Sequence, residues 1–219
     1  MFPGLRPAHK RFSPIAMLLD ADDSQLVLVD YQARLMPAIH EGPLVLANAL
    51  RLAQMAQALD VPAWGTEQNP DKLGTNPPEL RALCRRTLAK MHFSAVADGL
   101  GDWLRPPARP QGGNVRSLPK HLQKERAQAP REAERPSIVI AGCEAHVCLM
   151  QTALELLEQE FEVWVVTDAC GSRTERNRDA AFDRLAGAGA ELLTTEMVAF
   201  EWLRTSEHPE FKAVQGLIK

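Results

Sequence analysis

The apolar positions of this chain fall into short unbroken runs, separated by longer stretches with helical spacing. Residues 25–30 (QLVLVD) form a Leu/Val run without polar alternation, the pattern of a strand buried on both faces. Over 44–59, Leu44, Ala47, Leu50, Ala53, Met55 and Leu59 make a helical stripe. A strand over 61–66, a proline-opened helix over 77–84 and a strand over 86–91 follow. Residues 137–141 (SIVIA) are the strongest strand signal, followed by a helix over 146–160 and a strand over 162–168 (EVWVVTD). A helix over 175–188, a short strand over 191–194 and helical turns over 196–203 and 209–218 complete the pattern. Six strands alternating with helices predict a doubly wound α/β fold, a parallel six-stranded sheet with helices on both faces. The 219 residues suit one such domain, spanning 1–219, and are short for two.

Charge changes this picture in one place. The chain carries 25 Lys and Arg against 28 Asp and Glu, a net charge of −3. Residues 105–136 hold eight basic residues (Arg105, Arg109, Arg116, Lys120, Lys124, Arg126, Arg131, Arg135) against Glu125, Glu132 and Glu134. That window is therefore +5 and the remainder −8. It also holds six of the 16 prolines and reads as a loop-like insertion, of a length that is usually functional or disordered. It contains no aromatic residue on which bases could stack, so a nucleic-acid partner is not expected. A lid over the active site or a contact between subunits is the sharper expectation for it. No stretch approaches the roughly 20 apolar residues of a membrane span. The apolar patch over 15–19 is cut short by Asp20, Asp22 and Asp23, unlike a secretory signal, so a cytoplasmic protein is expected. Cys84, Cys143, Cys148 and Cys170 lack the spacing of a disulfide framework.

In an open parallel sheet, ligands gather beyond the carboxyl ends of the strands. Asp30 ends the first strand, Lys90 closes the third, and the segment 142–148 leads from the fourth into a helix carrying Cys148. An acid, an amine and a thiol thus meet at one rim. Cys148 falls in the first helical turn, where free N–H groups and the helix dipole favour an anion, so a lowered thiol pKa is expected. Gln32 and Asn69, just past strands one and two, and Phe93 and His146, beside Lys90 and Cys148, are candidate substrate contacts. His92 and His146 have no partner at metal-ligand spacing. Cys143 reads as packing beneath the site, and the Gly187-x-Gly189 turn ends a helix without the strand context of a dinucleotide fingerprint.

These blocks carry a resemblance. LVLVDYQ (26–32), TEQNP (66–70), KMHFS (90–94), GCEAHVC (142–148), QTALELLEQEFEVWVVTDACGSR (151–173) and TTEMVAFEWL (194–203) resemble the isochorismatase-like cysteine hydrolases. TEQ (66–68) together with the G-x-E-x-H-V-C spacing of 142–148 resembles the YcaC-related branch. The resemblance implies a catalytic triad of Asp30, Lys90 and Cys148, hydrolysis of an amide-like C–N bond of a small metabolite through a thioester, and self-association into a homo-oligomer. It implies a cis peptide between Cys143 and Glu144, with the Glu144 and Cys148 N–H groups forming an oxyanion hole. Nicotinamidases of this superfamily bind a metal through an Asp-x-His pattern after the second strand. Here Thr66-Glu67-Gln68-Asn69 stands there, so neither a metal nor another cofactor is expected. Ala145 replaces the usual Thr or Ser, and the 105–136 insertion has no counterpart. Two rival readings remain: a catalytically silent binding or scaffold protein of the same fold, and an anion- or RNA-binding protein acting through the insertion.

Overall fold

The computed structural model describes residues 18–105 and 135–219. Six parallel strands form one sheet: β1 (Ser24–Val29), β2 (Ala63–Gln68), β3 (Arg86–Lys90), β4 (Ser137–Gly142), β5 (Glu162–Val166) and β6 (Glu191–Leu193). Their order is β3-β2-β1-β4-β5-β6, so the strand order reverses between β1 and β4. The helices are α1 (Gly42–Ala58), α2 (Pro70–Leu73), α3 (Pro78–Leu83), α4 (Leu100–Leu104), α5 (Met150–Glu158), α6 (Glu175–Ala188), α7 (Thr195–Leu203) and α8 (Phe211–Ile218). The doubly wound parallel fold expected from the pattern is the one observed.

Burial explains the strand composition. Every residue of β1 and β4 is buried, and the two pair in register from Ser24 opposite Ser137 to Val29 opposite Gly142. Such central strands have apolar neighbours on both faces and need no polar alternation. The edge strand β3 is only partly buried, and Arg86 lies over the Trp103 ring at 3.8 Å, beside Trp64. Gly142 ends β4 where the backbones close in. A Cβ there would collide with the Val29 carbonyl and side chain. The crevice at the reversal point is thus tight, with the chain turning away on both sides of it.

The insertion leaves and returns at one place, and it is not the rim. The Gln25 amide donates to both the Leu104 and the Arg135 carbonyl, each at 2.9 Å. The two roots therefore lie within about 6 Å of each other. Gln25 is near the amino end of β1, about 17 Å along the strand from Asp30. The residues between, 106–134, on which the expectation of a lid or a subunit contact rests, lie outside those described. Of its basic residues, Arg105 donates to the Gln159 carbonyl and stacks on Phe161, while Arg135 donates to the carbonyls of Ala21 and Ser24.

Candidate active site

Asp30 follows β1 at the reversal point, with φ at 55°, a left-handed conformation that Asp tolerates better than most residues. Its N–H donates to the Thr66 carbonyl at 3.2 Å, and its Oδ1 accepts from the Thr66 hydroxyl at 2.7 Å. These contacts turn the carboxylate back over the sheet edge. Lys90, the last residue of β3, reaches across β2 and places Nζ 2.7 Å from Asp30 Oδ2. Both side chains are fully buried. Oδ2 has no other polar partner among the described residues, so the ammonium alone compensates that oxygen.

Three further acceptors surround the ammonium: Gln68 Oε1 at 2.7 Å, the Phe93 carbonyl at 3.0 Å and the His92 carbonyl at 3.4 Å. Gln68 also approaches the third member of the cluster, with Cys148 Sγ 4.0 Å from its Oε1. The thiol lies in a π-helical turn over Ala145–Leu149 that leads into α5. This differs from the regular helix expected from residue 146 onward. The wider turn sends the Val147 and Leu149 N–H groups to the Glu144 carbonyl, at 3.0 and 3.3 Å, passing over the Cys148 N–H between them. The Cys143–Glu144 peptide is cis.

The thiol differs from expectation. Burial pushes the Cys148 pKa up to about 12, and the Asp30 carboxylate pushes the same way, against a weaker opposing effect of Lys90. Desolvation and a neighbouring anion together outweigh the Lys90 ammonium. Burial and the neighbouring carboxylate thus favour the neutral thiol over the thiolate in the resting site.

The other candidates are distributed around this centre. Gln32 is fully buried and committed to the backbone: its amide donates to the Gln68 carbonyl at 3.0 Å and the Gly74 carbonyl at 2.5 Å, and accepts from the Gln68 N–H at 2.8 Å. It braces the end of β2 from behind, and this corrects its expected place among the substrate contacts. Asn69, half-buried, starts α2 and donates its N–H to the Lys90 carbonyl at 2.8 Å. Phe93 stands exposed at the mouth. His146 accompanies the Glu144 carboxylate at 3.8 Å and the Ser172 hydroxyl at 3.0 Å, while Arg173 holds Glu144 at 2.7 Å. Cys143 is buried, as is Cys170 behind it. Gln68 and Thr66 are the residues the sequence reading missed. They alternate at the end of β2, so the period of two along Thr66-Glu67-Gln68 was the available signal.

No group of three or more His, Cys, Asp or Glu with metal-binding proximity occurs among the described residues. A cavity of about 410 Å³ lined by Glu41, Leu44, Asp168, Arg178 and Phe182, among others, lies beside α1 and α6 and contains none of the three clustered groups. Chemistry, not cavity size, marks the site.

A parallel sheet reversing beside an acid, an amine and a thiol defines an α/β protein with a buried polar cluster at its topological switch point. The family model for the isochorismatase domain matches residues 24–197, and the chain belongs to that family. Isochorismatase domain-containing protein 2A of Mus musculus is 35% identical over 198 residues, covering 90% of this chain and 84% of the relative. Among solved structures, MAR1 ribonuclease of Caenorhabditis elegans superposes with a TM-score of 0.76 at 29% identity, covering 92% of each chain. YcaC of Pseudomonas aeruginosa, solved with hexane-2,5-diol and covalent acrylamide, gives 0.73 at 25%, also covering 92% of each. YcaC of Escherichia coli, described as an octameric hydrolase of unknown specificity, gives 0.69 at 25%, covering 92% of this chain and 95% of its own.

Proposed function

We propose that the protein is a cysteine hydrolase that cleaves an amide-like C–N bond of a small metabolite, using Asp30, Lys90 and Cys148. The observation that carries this reading is the buried 2.7 Å Lys90–Asp30 pair with the Cys148 thiol against it. A buried ion pair costs desolvation that apolar residues would avoid, so its position in a reactive crevice argues for use. The covalent acrylamide of the Pseudomonas relative supports it further, because acrylamide is an electrophile that soft nucleophiles such as thiolates attack.

The high thiol pKa is compatible with this chemistry. Loss of the proton to water would leave the triad with a net charge of −1, whereas transfer from Sγ to the Asp30 carboxylate leaves it at zero. Lys90 keeps its charge throughout and faces whichever partner is anionic. The thiolate attacks the carbonyl carbon, and the oxyanion is received by the N–H groups of Glu144 and Cys148. As the C–N bond breaks, the proton on Asp30 passes to the leaving nitrogen, leaving a thioester. A water gives its proton to Asp30 and attacks that thioester, releasing the acid and returning the proton to the thiol. Phe93, Asn69 and His146 would contact the substrate at the mouth. By likeness to the octameric YcaC, the working form is a homo-oligomer.

The test is release of ammonia or amine from a panel of small amides, with RNA oligonucleotides as a parallel panel. Turnover of an amide that is lost in Cys148→Ala and in Asp30→Asn is expected. Cleavage of RNA alone, or amide turnover surviving Cys148→Ala, contradicts the reading.

A further inference from the structure

The segment between Lys90 and α4 closes on itself through one side chain. Asp98 Oδ2 accepts the backbone N–H of Met91 at 3.0 Å and that of His92 at 2.9 Å, while Oδ1 faces His92 Nδ1 at 3.1 Å. Burial is the largest single influence on the Asp98 carboxyl and pushes it up, but the bonds from His92 and Met91 together prevail and hold it below its ordinary range. The peptide so fixed is the one whose carbonyls, on His92 and Phe93, receive the Lys90 ammonium. The far side of the loop is also tied down. The Ser94 hydroxyl donates to Glu155 at 2.6 Å, and the Ala95 N–H donates to the Thr152 hydroxyl at 3.0 Å. That hydroxyl in turn donates to the Cys148 carbonyl at 2.7 Å. Met91, His92 and Phe93 have exposed side chains, so packing does little to hold this stretch in place.

We infer that Asp98 is a positioning residue for the proposed hydrolysis: it fixes the Met91–Phe93 backbone so that the His92 and Phe93 carbonyls hold the Lys90 ammonium against Asp30 and Cys148. This rests on the reading of Lys90 given above. Asp98 touches no reacting atom. Its carboxylate acts through two N–H groups, and any oxygen that accepts both performs the same task. Without it, the loop turns its carbonyls away, and the ammonium loses one or two of its four acceptors. Because charge-assisted hydrogen bonds are among the stronger ones, the loss registers at the thiol.

The experiment follows iodoacetamide labelling of Cys148 by peptide mass spectrometry across pH 7–10, in the full chain. Half-buried Cys84, just before the amino end of β3, serves as an internal control. In Asp98→Ala, Cys148 labelling is expected to slow about tenfold at fixed pH, its profile moving to higher pH, with Cys84 unchanged. Asp98→Asn, which keeps an acceptor oxygen, is expected to stay within about twofold of the parent. If Asp98→Ala does not fold, Asp98→Ser replaces it; its shorter hydroxyl can bond at most one of the N–H groups and gives an intermediate rate. An unchanged Cys148 profile overturns the inference, as does equal slowing of Cys84, which would mark a general loss of structure. A Lys90→Met chain that labels like the parent defeats the reading of the triad itself, and that outcome is separate from either Asp98 result.

Discussion

Replacing Lys90 with Met removes the charge while keeping most of the volume of the stem, and its effect on Cys148 can be worked from the geometry. Gln68 Oε1 lies 2.7 Å from Nζ and 4.0 Å from Sγ, so the ammonium and the sulfur are no more than about 6.7 Å apart. With an effective dielectric constant of about 20, that separation gives an attraction of at least about 2.5 kcal/mol between ammonium and thiolate. The thiol pKa, already pushed up by burial and Asp30, should rise further. Labelling of Cys148 by iodoacetamide below pH 10 should therefore slow by about 50-fold or more, since only the thiolate reacts. Cys84, whose pKa is pushed up to about 11 by burial and by Glu67, lacks Lys90 among its influences and should keep its rate. A Cys148 change under threefold would mean that the ammonium and the thiolate are not electrostatically coupled, contrary to the assignment of Lys90.

Other consequences concern stability and the insertion. Lys90→Met strands a buried carboxylate and should cost about 3–5 kcal/mol in chemical denaturation. Pairing it with Asp30→Asn should recover most of that loss while leaving the protein inactive; a double variant as unstable as the single one contradicts the pairing. Burial raises the thiols of Cys84, Cys148 and Cys170, to about 11, 12 and 12, and lifts Cys143 and Tyr31 well above their ordinary values. Unfolded, these groups ionise first, so their contribution is complete below about pH 8.5 and is lost as pH rises towards 12. Urea midpoints should fall across that window, and Cys170→Ala should flatten the fall; a midpoint level from pH 8 to 11 counts against it. Because Gln25 holds both roots of the insertion together, a short Gly-Ser linker in place of residues 106–134 should leave the urea midpoint and Cys148 labelling within about 1 kcal/mol and twofold of the parent. A large loss of either would give the segment a role at the site.

The strands of this fold were legible because β1, β4 and β5 are buried on both faces, and burial leaves an unbroken apolar run. Asp30, Lys90 and Cys148 were legible for a related reason: each sits within a few residues of a strand's carboxyl end, where a parallel sheet collects its chemistry. The end of β2 was read two residues early, over 61–66 instead of Ala63–Gln68, and that slip hid Gln68 as a partner of both Lys90 and Cys148. The polar sequence Thr66-Glu67-Gln68 looks like a turn, yet it is strand: Gln68 faces the ion pair and Glu67 the opposite side, where Arg81 and the Asn76 N–H bind it at 3.3 and 2.9 Å. The π-helical turn at Cys148 leaves no trace in hydrophobic spacing, since one extra residue per turn is within the scatter of any stripe. The height of the thiol pKa was also beyond the sequence, because it depends on how completely Asp30 and the sulfur are buried together. The place where the insertion is rooted rests on contacts between residues 79 and 110 positions apart, which no local pattern records.

The proposed hydrolysis passes through a covalent acyl intermediate on Cys148, which intact-protein mass spectrometry after brief exposure to p-nitrophenyl acetate would reveal. One acetyl group per chain is expected, localised to Cys148, removed by hydroxylamine as a thioester is, and absent from Cys148→Ala. Acetylation elsewhere with Cys148 unmodified, or an identical adduct on Cys148→Ala, contradicts it.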